Sequence, residues 1–334
     1  MQIDELLALA IDRRASDLHL SSGHPPLLRI DGELRAVNRP PLAASDLDTL
    51  LAGMLDAQRH RRLLRGLGCD FCIARASGER FRASAFLQHR GVALALRPIP
   101  VHIPELETLH SQRALYAITA LRWGLVVLCG ATGCGKSTTM AALINHINHR
   151  HRLHVLMFED PIEFLHQSDC SLIQQCILPP GHEARVLRGA LRADPDILVI
   201  GEMRDAATIR LALSAARTGH LVLATLHATS AAQAVERLED AFPAQEKDSA
   251  RSALSESLRA IVAQRLIRRA DGRGRIALRE ILIATPAVSR LIRERKSAQL
   301  EHVMQTGDHY GMTTYAQSLR ALIASGAVAA STPA

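Results

Sequence analysis

"GATGCGKSTT", Gly130 to Thr139, follows the apolar run "GLVVLC" (124–129) and opens the stretch "MAALINHINHR" (140–150). Gly-x-x-x-x-Gly-Lys-Ser between a strand and a helix is the pattern of a phosphate-binding loop. Its glycines let successive backbone N–H groups curl around a β-phosphate, and the helix N-terminus adds positive potential. Gly130, Ala131, Thr132, Gly133, Cys134, Gly135, Lys136, Ser137 and Thr138 are therefore the expected contacts of a bound ATP. Lys136 is expected to bridge the β- and γ-phosphates, and the Ser137 hydroxyl to ligate Mg²⁺. Holding ATP is common to switches, transporters, helicases and motors, so its use has to be read from what surrounds the loop.

Beyond the loop, strands and helices alternate. "LHVLMFED" (153–160), "DILVIGE" (196–202) and "HLVLATLHA" (220–228) read as strands; "ARVLRGALRA" (184–193) and "DAATIRLALSAARTG" (205–219) read as helices. Such alternation marks an α/β fold whose sheet is covered on both faces. Ligands of open α/β sheets lie outside the carboxyl ends of the strands. Three segments bring acids or histidines there: Glu159, Asp160 and Glu163 in "FEDPIEF", Glu202 after "DILVIG", and His227 at the exit of a strand that His220 enters. Phosphoryl transfer to water needs a positioned proton acceptor, and Glu202 is the expected general base. Glu159, Asp160 and Glu163 suit the outer shell of Mg²⁺, which keeps several waters. A histidine near the γ-phosphate can report whether it is present. Gly201 stands where many phosphate-loop enzymes carry an aspartate. After residue 244 the pattern turns mostly helical, with one strand near 275–283.

The first hundred residues read as a small α+β unit. A helix over 2–14 leads into the strand "SDLHL" (16–20), and Asp31-Gly32 in "PPLLRIDGELRAV" (25–37) signals a hairpin. An Arg-rich helix over 46–65, a short strand in "GCDFCIAR" (68–75) and the strands "ERFRASAFLQ" (79–88) and "GVALALRPI" (91–99) follow. "RPIPVHIPEL" (97–106), with Pro98, Pro100 and Pro104, resists helix and sheet and reads as a linker. The expected organisation is 1–98, a Pro-rich linker over 99–109, and an ATPase domain over 110–334.

Composition narrows the classes further. Only 3% of the 334 residues are aromatic against 48% hydrophobic, so the cores must be built of Leu, Ile, Val and Ala. No run approaches the roughly 20 apolar residues that cross a bilayer. The N-terminus carries acids where a secretory signal carries bases, which predicts a cytoplasmic protein. Cys69, Cys72, Cys129, Cys134, Cys170 and Cys176 show no zinc-site spacing as a set, so free thiols are expected. Residues 265–296 hold ten Arg and Lys against three acids, a surplus equal to the whole formal charge of +7. That segment fits a nucleic-acid, membrane-surface or acidic-partner face, or a solvated helical surface carrying a nucleotide-site arginine. The scarcity of aromatic stacking residues argues against nucleic acid.

"GATGCGKSTT", "FEDPIEF", "ALRADPDILVIGEMRD" and "TGHLVLATLHATSA" resemble the Walker A, Asp box, Walker B and His box of the secretion ATPase superfamily. Within it the chain is most similar to the PilT-type type IV pilus retraction ATPases. "ASDLHLSSGHPPLLRIDGELR" resembles the opening of their PAS-like N-terminal domain, and "SALSESLRAIVAQRLIRR" and "TPAVSRLIRERKSAQLEHVMQTG" resemble their C-terminal helices. The resemblance implies a RecA-like P-loop core with a smaller α+β PAS-like N-terminal domain. It implies a homo-hexameric motor that turns ATP hydrolysis into pilus retraction. Such a motor works through an inner-membrane platform protein, from the cytoplasmic face and peripheral to the membrane.

Carried over by position, Lys136 and Ser137 hold phosphate and Mg²⁺, Glu163 is the Asp-box carboxylate that reaches the metal through water, and Glu202 is the Walker B catalytic glutamate. His220 and His227 become the His-box pair, Arg82 and Arg97 the arginines that the N-terminal domain supplies to a nucleotide, and Arg275 a C-terminal candidate for the same purpose. Departures include Cys134 for the usual Ser, "HATS" for "HTTS", and Pro179-Pro180 in an altered "QQCILPPGHEARVLRGALR". "AVSRLIRE" in place of "AIRNLIRE" bears on coupling to the pilus more than on hydrolysis. The lack of a four-cysteine zinc insertion and of an extra N-terminal domain favours the retraction branch over the extension branch. The competing readings are a conjugative or secretion-system ATPase of the same superfamily, and a nucleotide-binding module associated with DNA.

Overall fold

The structure is a computed structural model; it describes residues 3–332 except 31, 100, 101, 111, 179–182 and 273. The expectations placed on Asp31, Pro100, Pro179-Pro180 and Arg273 lie outside the described residues. The chain divides into two compact units, Met1–His102 and Ile103–Ala334.

The first unit is a six-stranded antiparallel sheet with three helices. In chain order these are α1 (Ile3–Asp12), β1 (Asp17–Ser21), β2 (Leu27–Ile30), β3 (Glu33–Ala36), α2 (Ala44–Met54), α3 (Ala57–Leu64), β4 (Cys69–Ala74), β5 (Arg80–Gln88) and β6 (Gly91–Ile99). The strand order is β3-β2-β1-β6-β5-β4. Alternation along β5 sends Phe81, Ala83 and Ala85 into a core with Leu18, Leu20, Leu47, Leu51 and Leu96, and leaves Arg80 and Arg82 on the other face. The single helix expected over 46–65 is two. The Asp56 carboxylate accepts from the backbone N–H of Gln58 (2.9 Å) and Arg59 (2.8 Å), which caps α3 and stops α2 short of it. Such a cap is worth about 1 kcal/mol. β6 covers the strand expected over 91–99, and Arg97, Pro98 and Ile99, also the first residues of the Pro-rich stretch, complete it by pairing with Arg82, Phe81 and Arg80.

The second unit opens with a 3₁₀ turn (Leu106–Leu109) and α4 (Arg113–Thr119). There follow β7 (Gly124–Cys129), α5 (Lys136–Asn148), β8 (His154–Glu159), β9 (Leu172–Ile177), α6 (Glu183–Ala190), β10 (Ile197–Ile200), α7 (Ala206–Arg217), β11 (Leu221–Leu226) and α8 (Ala231–Asp240). The remainder is α9 (Lys247–Ser257), β12 (Leu258–Arg268), β13 (Arg275–Ile283), α10 (Pro286–Arg293), α11 (Leu300–Thr306) and α12 (Tyr315–Ala324). The seven strands run β13-β12-β7-β11-β10-β8-β9, parallel throughout except for β13 against β12. β7, β10 and β11 are buried along their whole length because helices cover both faces. One face packs α5, α4 and the 3₁₀ turn; the other packs α6 to α12.

Two strands depart from the sequence reading. β12 occupies the second half of "SALSESLRAIVAQRLIRR", read as helical throughout, and only its start, α9, is helix. β9 fell in a stretch assigned to no element, and it forms the sheet edge beside β8. The basic segment 265–296 is accordingly the end of β12, the antiparallel β13 and α10 rather than a helical surface.

Candidate active site

The parallel strands lay their carboxyl ends side by side, and each delivers one part of the site. The phosphate loop leaves β7, His227 leaves the neighbouring β11, Glu202 leaves β10 next to that, and Glu159 ends β8. At about 4.8 Å per strand, Glu202 lies roughly 10 Å along the edge from the end of β7. The phosphate loop, Glu202 and His227, spread over 97 positions from Gly130 to His227, thus meet at one edge of the sheet.

The loop itself requires glycine where it meets β12: a Cβ on Gly130 (φ 153°) would collide with the Gln264 carbonyl and the Cys134 thiol. Lys136 Nζ donates to the carbonyls of Gly130 (2.7 Å) and Ala131 (3.0 Å), so its ammonium sits inside the curl. Thr139 is buried and donates to Gln264 Oε1 (2.9 Å), whereas the half-buried Ser137 has no hydrogen-bond partner among the described residues. Burial pushes the Cys129 thiol up to about 12, so that sulfur stays neutral. All six cysteines are free thiols.

Glu202 is held at both oxygens. Oε1 pairs with His227 Nε2 at 2.8 Å and Oε2 accepts from Arg204 Nε at 2.6 Å. Glu202 keeps 25% of its side chain exposed and His227 keeps 45%, so the pair is fixed yet open to solvent. Arg204 was missed by the sequence reading; its signal was its place two residues after Glu202, just before the Asp205 cap of α7. The Glu202 hydrogen bond, joined by the charges of Asp160 and Glu183, raises the Arg204 pKa against the effect of burial. Asp160 therefore belongs to this charge cluster. Gly201 allows β10 to close on β8: a Cβ there would stand 3.0 Å from the Phe158 carbonyl. An aspartate there would press on β8.

Glu159 Oε1 accepts from Gln175 Nε2 (2.9 Å), fastening β8 to β9. Glu163 follows in the loop after β8, half-buried. The structure does not bring His220 to the phosphate loop. It sits at the amino end of β11, where Nδ1 donates to the Ala215 carbonyl (3.1 Å) and its own carbonyl accepts from Gly124 N–H (3.0 Å). Arg275 starts β13 opposite Arg268, exposed, at the end of β12 that runs on past Cys129.

In the other unit, Arg82 and Arg97 stand directly opposite on β5 and β6 and so share a face. Arg97 is anchored by Asp17 Oδ1, 2.9 Å from both Nε and Nη2. Without that carboxylate two cations directly across a ladder would repel. Asp17 also faces Arg29 across β1 and β2, giving a row of three arginines and one acid over the sheet.

No group of three or more His, Cys, Asp or Glu able to hold a metal exists among the described residues. The half-buried Ser137 at the start of α5 offers a hydroxyl oxygen, a donor of the kind that Mg²⁺ takes.

A phosphate loop at the end of a buried strand, a paired glutamate two strands away and a covering of helices define a P-loop ATPase. The family model "Type II/IV secretion system protein" matches residues 1–329. The Pseudomonas aeruginosa protein named type IV pilus retractation ATPase PilT is 44% identical over 333 residues, covering 98% of this chain and 96% of that one. An uncharacterized Escherichia coli K12 protein, YggR, is 47% identical over 98% of this chain and 99% of its own length. A solved pilus retraction motor PilT with bound ADP superposes with a TM-score of 0.87 at 36% identity, over 99% of this chain and 95% of that one. The chain belongs to the type II/IV secretion ATPase family and is PilT-like over nearly its whole length; it is an ATPase with a RecA-like core and a smaller antiparallel-sheet domain before it.

Proposed function

We propose that this ATPase powers retraction of a type IV pilus, working as a homo-hexamer at the cytoplasmic face of an inner-membrane platform protein. The observation that carries the reading is the near full-length likeness to PilT, 44% identical with both units matched. No helix among the described residues is long and apolar enough to cross a membrane.

In the proposed reaction Glu202 takes a proton from water as its oxygen attacks the γ-phosphorus, and the bond to the β-phosphate oxygen breaks to leave ADP and inorganic phosphate. His227 and Arg204 orient the carboxylate. The Lys136 ammonium exchanges the Gly130 and Ala131 carbonyls for β- and γ-phosphate oxygens as its acceptors. Bound through Ser137, with Glu163 reaching it through water, Mg²⁺ would offset charge on the transferring group. Arg82 and Arg97 are the arginines that complete the charge neutralisation, and Arg275 is a further candidate. An arginine finger can supply about 10³–10⁵ in rate.

The test is deletion of the gene in a piliated host, scored by surface pili and twitching, with complementation. Excess pili and no twitching are expected, reversed by the wild-type gene but not by Arg97→Ala. Unchanged pili and motility on deletion would refute the retraction role.

A further inference from the structure

We infer that Gln264 and Arg279 are positioning residues of the nucleotide site: they fix the phosphate loop and tie it to the Leu106–His110 segment by which the chain enters the ATPase unit. The inference rests on nucleotide occupying the loop and on nothing about the pilus.

The two residues stand directly opposite each other on β12 and β13, so their side chains share the face that packs α5 and the 3₁₀ turn. Both are buried, Gln264 at 3% exposure and Arg279 at 1%. Arg279 Nε donates to Gln264 Oε1 at 3.0 Å, and Nη1 donates to the carbonyls of Leu109 (3.1 Å) and His110 (3.4 Å). On its other side Gln264 Nε2 donates to the Cys134 carbonyl at 2.6 Å, inside the phosphate loop, while Oε1 also accepts from Thr139 on the first turns of α5. A continuous chain of hydrogen bonds, buried from the loop to Arg279 and partly buried beyond it, therefore runs to residues 109 and 110.

The direction of every bond in that chain follows from donor chemistry. A guanidinium only donates, so the glutamine must turn its oxygen to Arg279 and its nitrogen to Cys134. Replacing the arginine with an apolar residue removes that constraint and leaves a buried amide oxygen served by Thr139 alone.

Arg279 is also costly to keep. Among the described residues it has no carboxylate in reach and its Nη2 has no partner, and burial pulls its pKa down to about 10. It remains a cation at neutral pH. A desolvated charge without a counter-ion is unfavourable beside apolar side chains of like volume. Its fork is used instead to join one side-chain acceptor on β12 to two consecutive backbone acceptors at the end of the 3₁₀ turn. His110, one of them, holds a left-handed conformation (φ 49°) uncommon outside glycine. A phosphate that displaces Lys136 from the Gly130 and Ala131 carbonyls shifts the loop carrying Cys134, and Gln264 passes the shift to Arg279 and residues 109–110. By linkage, tension at residues 109–110 changes nucleotide affinity by the same factor.

Hydrogen exchange of the full chain with and without ADP tests this, alongside ADP titration and thermal unfolding. In the wild type ADP should slow exchange at both 130–139 and 103–110. Arg279→Met should keep the protection at 130–139 and lose it at 103–110. Gln264→Glu keeps the acceptor for Arg279 and Thr139 but loses the donor to Cys134. It should weaken ADP binding by about tenfold, one hydrogen bond's worth, and likewise uncouple 103–110. If Arg279→Met does not fold, Gln264→Glu decides alone. ADP-dependent protection of 103–110 that survives in the folded variants, or is absent from a wild type that binds ADP, would overturn the inference. A wild type that binds no ADP would instead refute the nucleotide site.

Discussion

His227 leaves β11 at its carboxyl end and His220 enters it at the amino end, with six fully buried residues between them. That strand separates them by about 20 Å. At the carboxyl end the partners are side chains: His227 meets Glu202, which meets Arg204. At the amino end the partners are mostly backbone. His220 bonds the Ala215 carbonyl, the Asp196 carboxylate accepts from His154 N–H (2.8 Å), and His154 Nδ1 bonds the Asp194 carbonyl (3.1 Å). Charge at one edge is arranged toward a ligand, and polar groups at the other are consumed in closing turns. The same residue type therefore carries chemistry or structure according to which end of a parallel strand it occupies.

The comparison can be broken by substitution. Lys136→Ala, at the carboxyl edge, is expected to abolish nucleotide binding and lower ATP turnover by at least about 10²–10³-fold, measured by phosphate release. Turnover within reach of the wild type would mean that the loop does not hold the triphosphate. His227→Asn removes one charge-assisted contact to Glu202, worth about 1.5–3 kcal/mol. Its kcat should fall roughly 10–100-fold with little change in KM, and a change confined to KM would assign His227 to binding. His220→Ala should leave turnover within about twofold and cost about 1 kcal/mol of stability, read by denaturant unfolding. A large loss of kcat with unchanged stability would place His220 in the chemistry and erase the contrast.

The carboxyl edge was legible because its chemistry is local. Glycines, Lys136 and Ser137 are contiguous, and Glu202 and His227 each follow an apolar run at once. What those motifs could not supply was partnership across strands. Arg204 follows Glu202 by two residues, yet only the fold shows that it grips Oε2. The sequence places Glu159 in "FEDPIEF", but its Oε1 contact with Gln175 depends on β9, an edge strand whose burial does not alternate along its length.

β12 misled for a physical reason. Leu254, Leu258, Ile261, Val262 and Leu266 keep helical spacing straight through the junction of α9 with β12. A strand buried on both faces shows no alternation to contradict that period. Reading it as helix hid Gln264 and its opposite neighbour Arg279, whose meaning depends on a strand pair. β5 in the N-terminal unit, with one face buried and the other facing out, alternates over Arg80 to Ala85 and was legible as a strand.

Glu202→Gln under single-turnover conditions with labelled ATP tests the central claim most directly. The variant should bind ATP as the wild type does and retain it intact, with cleavage slowed by about 10²–10⁴-fold. Release of phosphate at the wild-type rate would contradict the assignment of Glu202 as the base and move that role to Glu163.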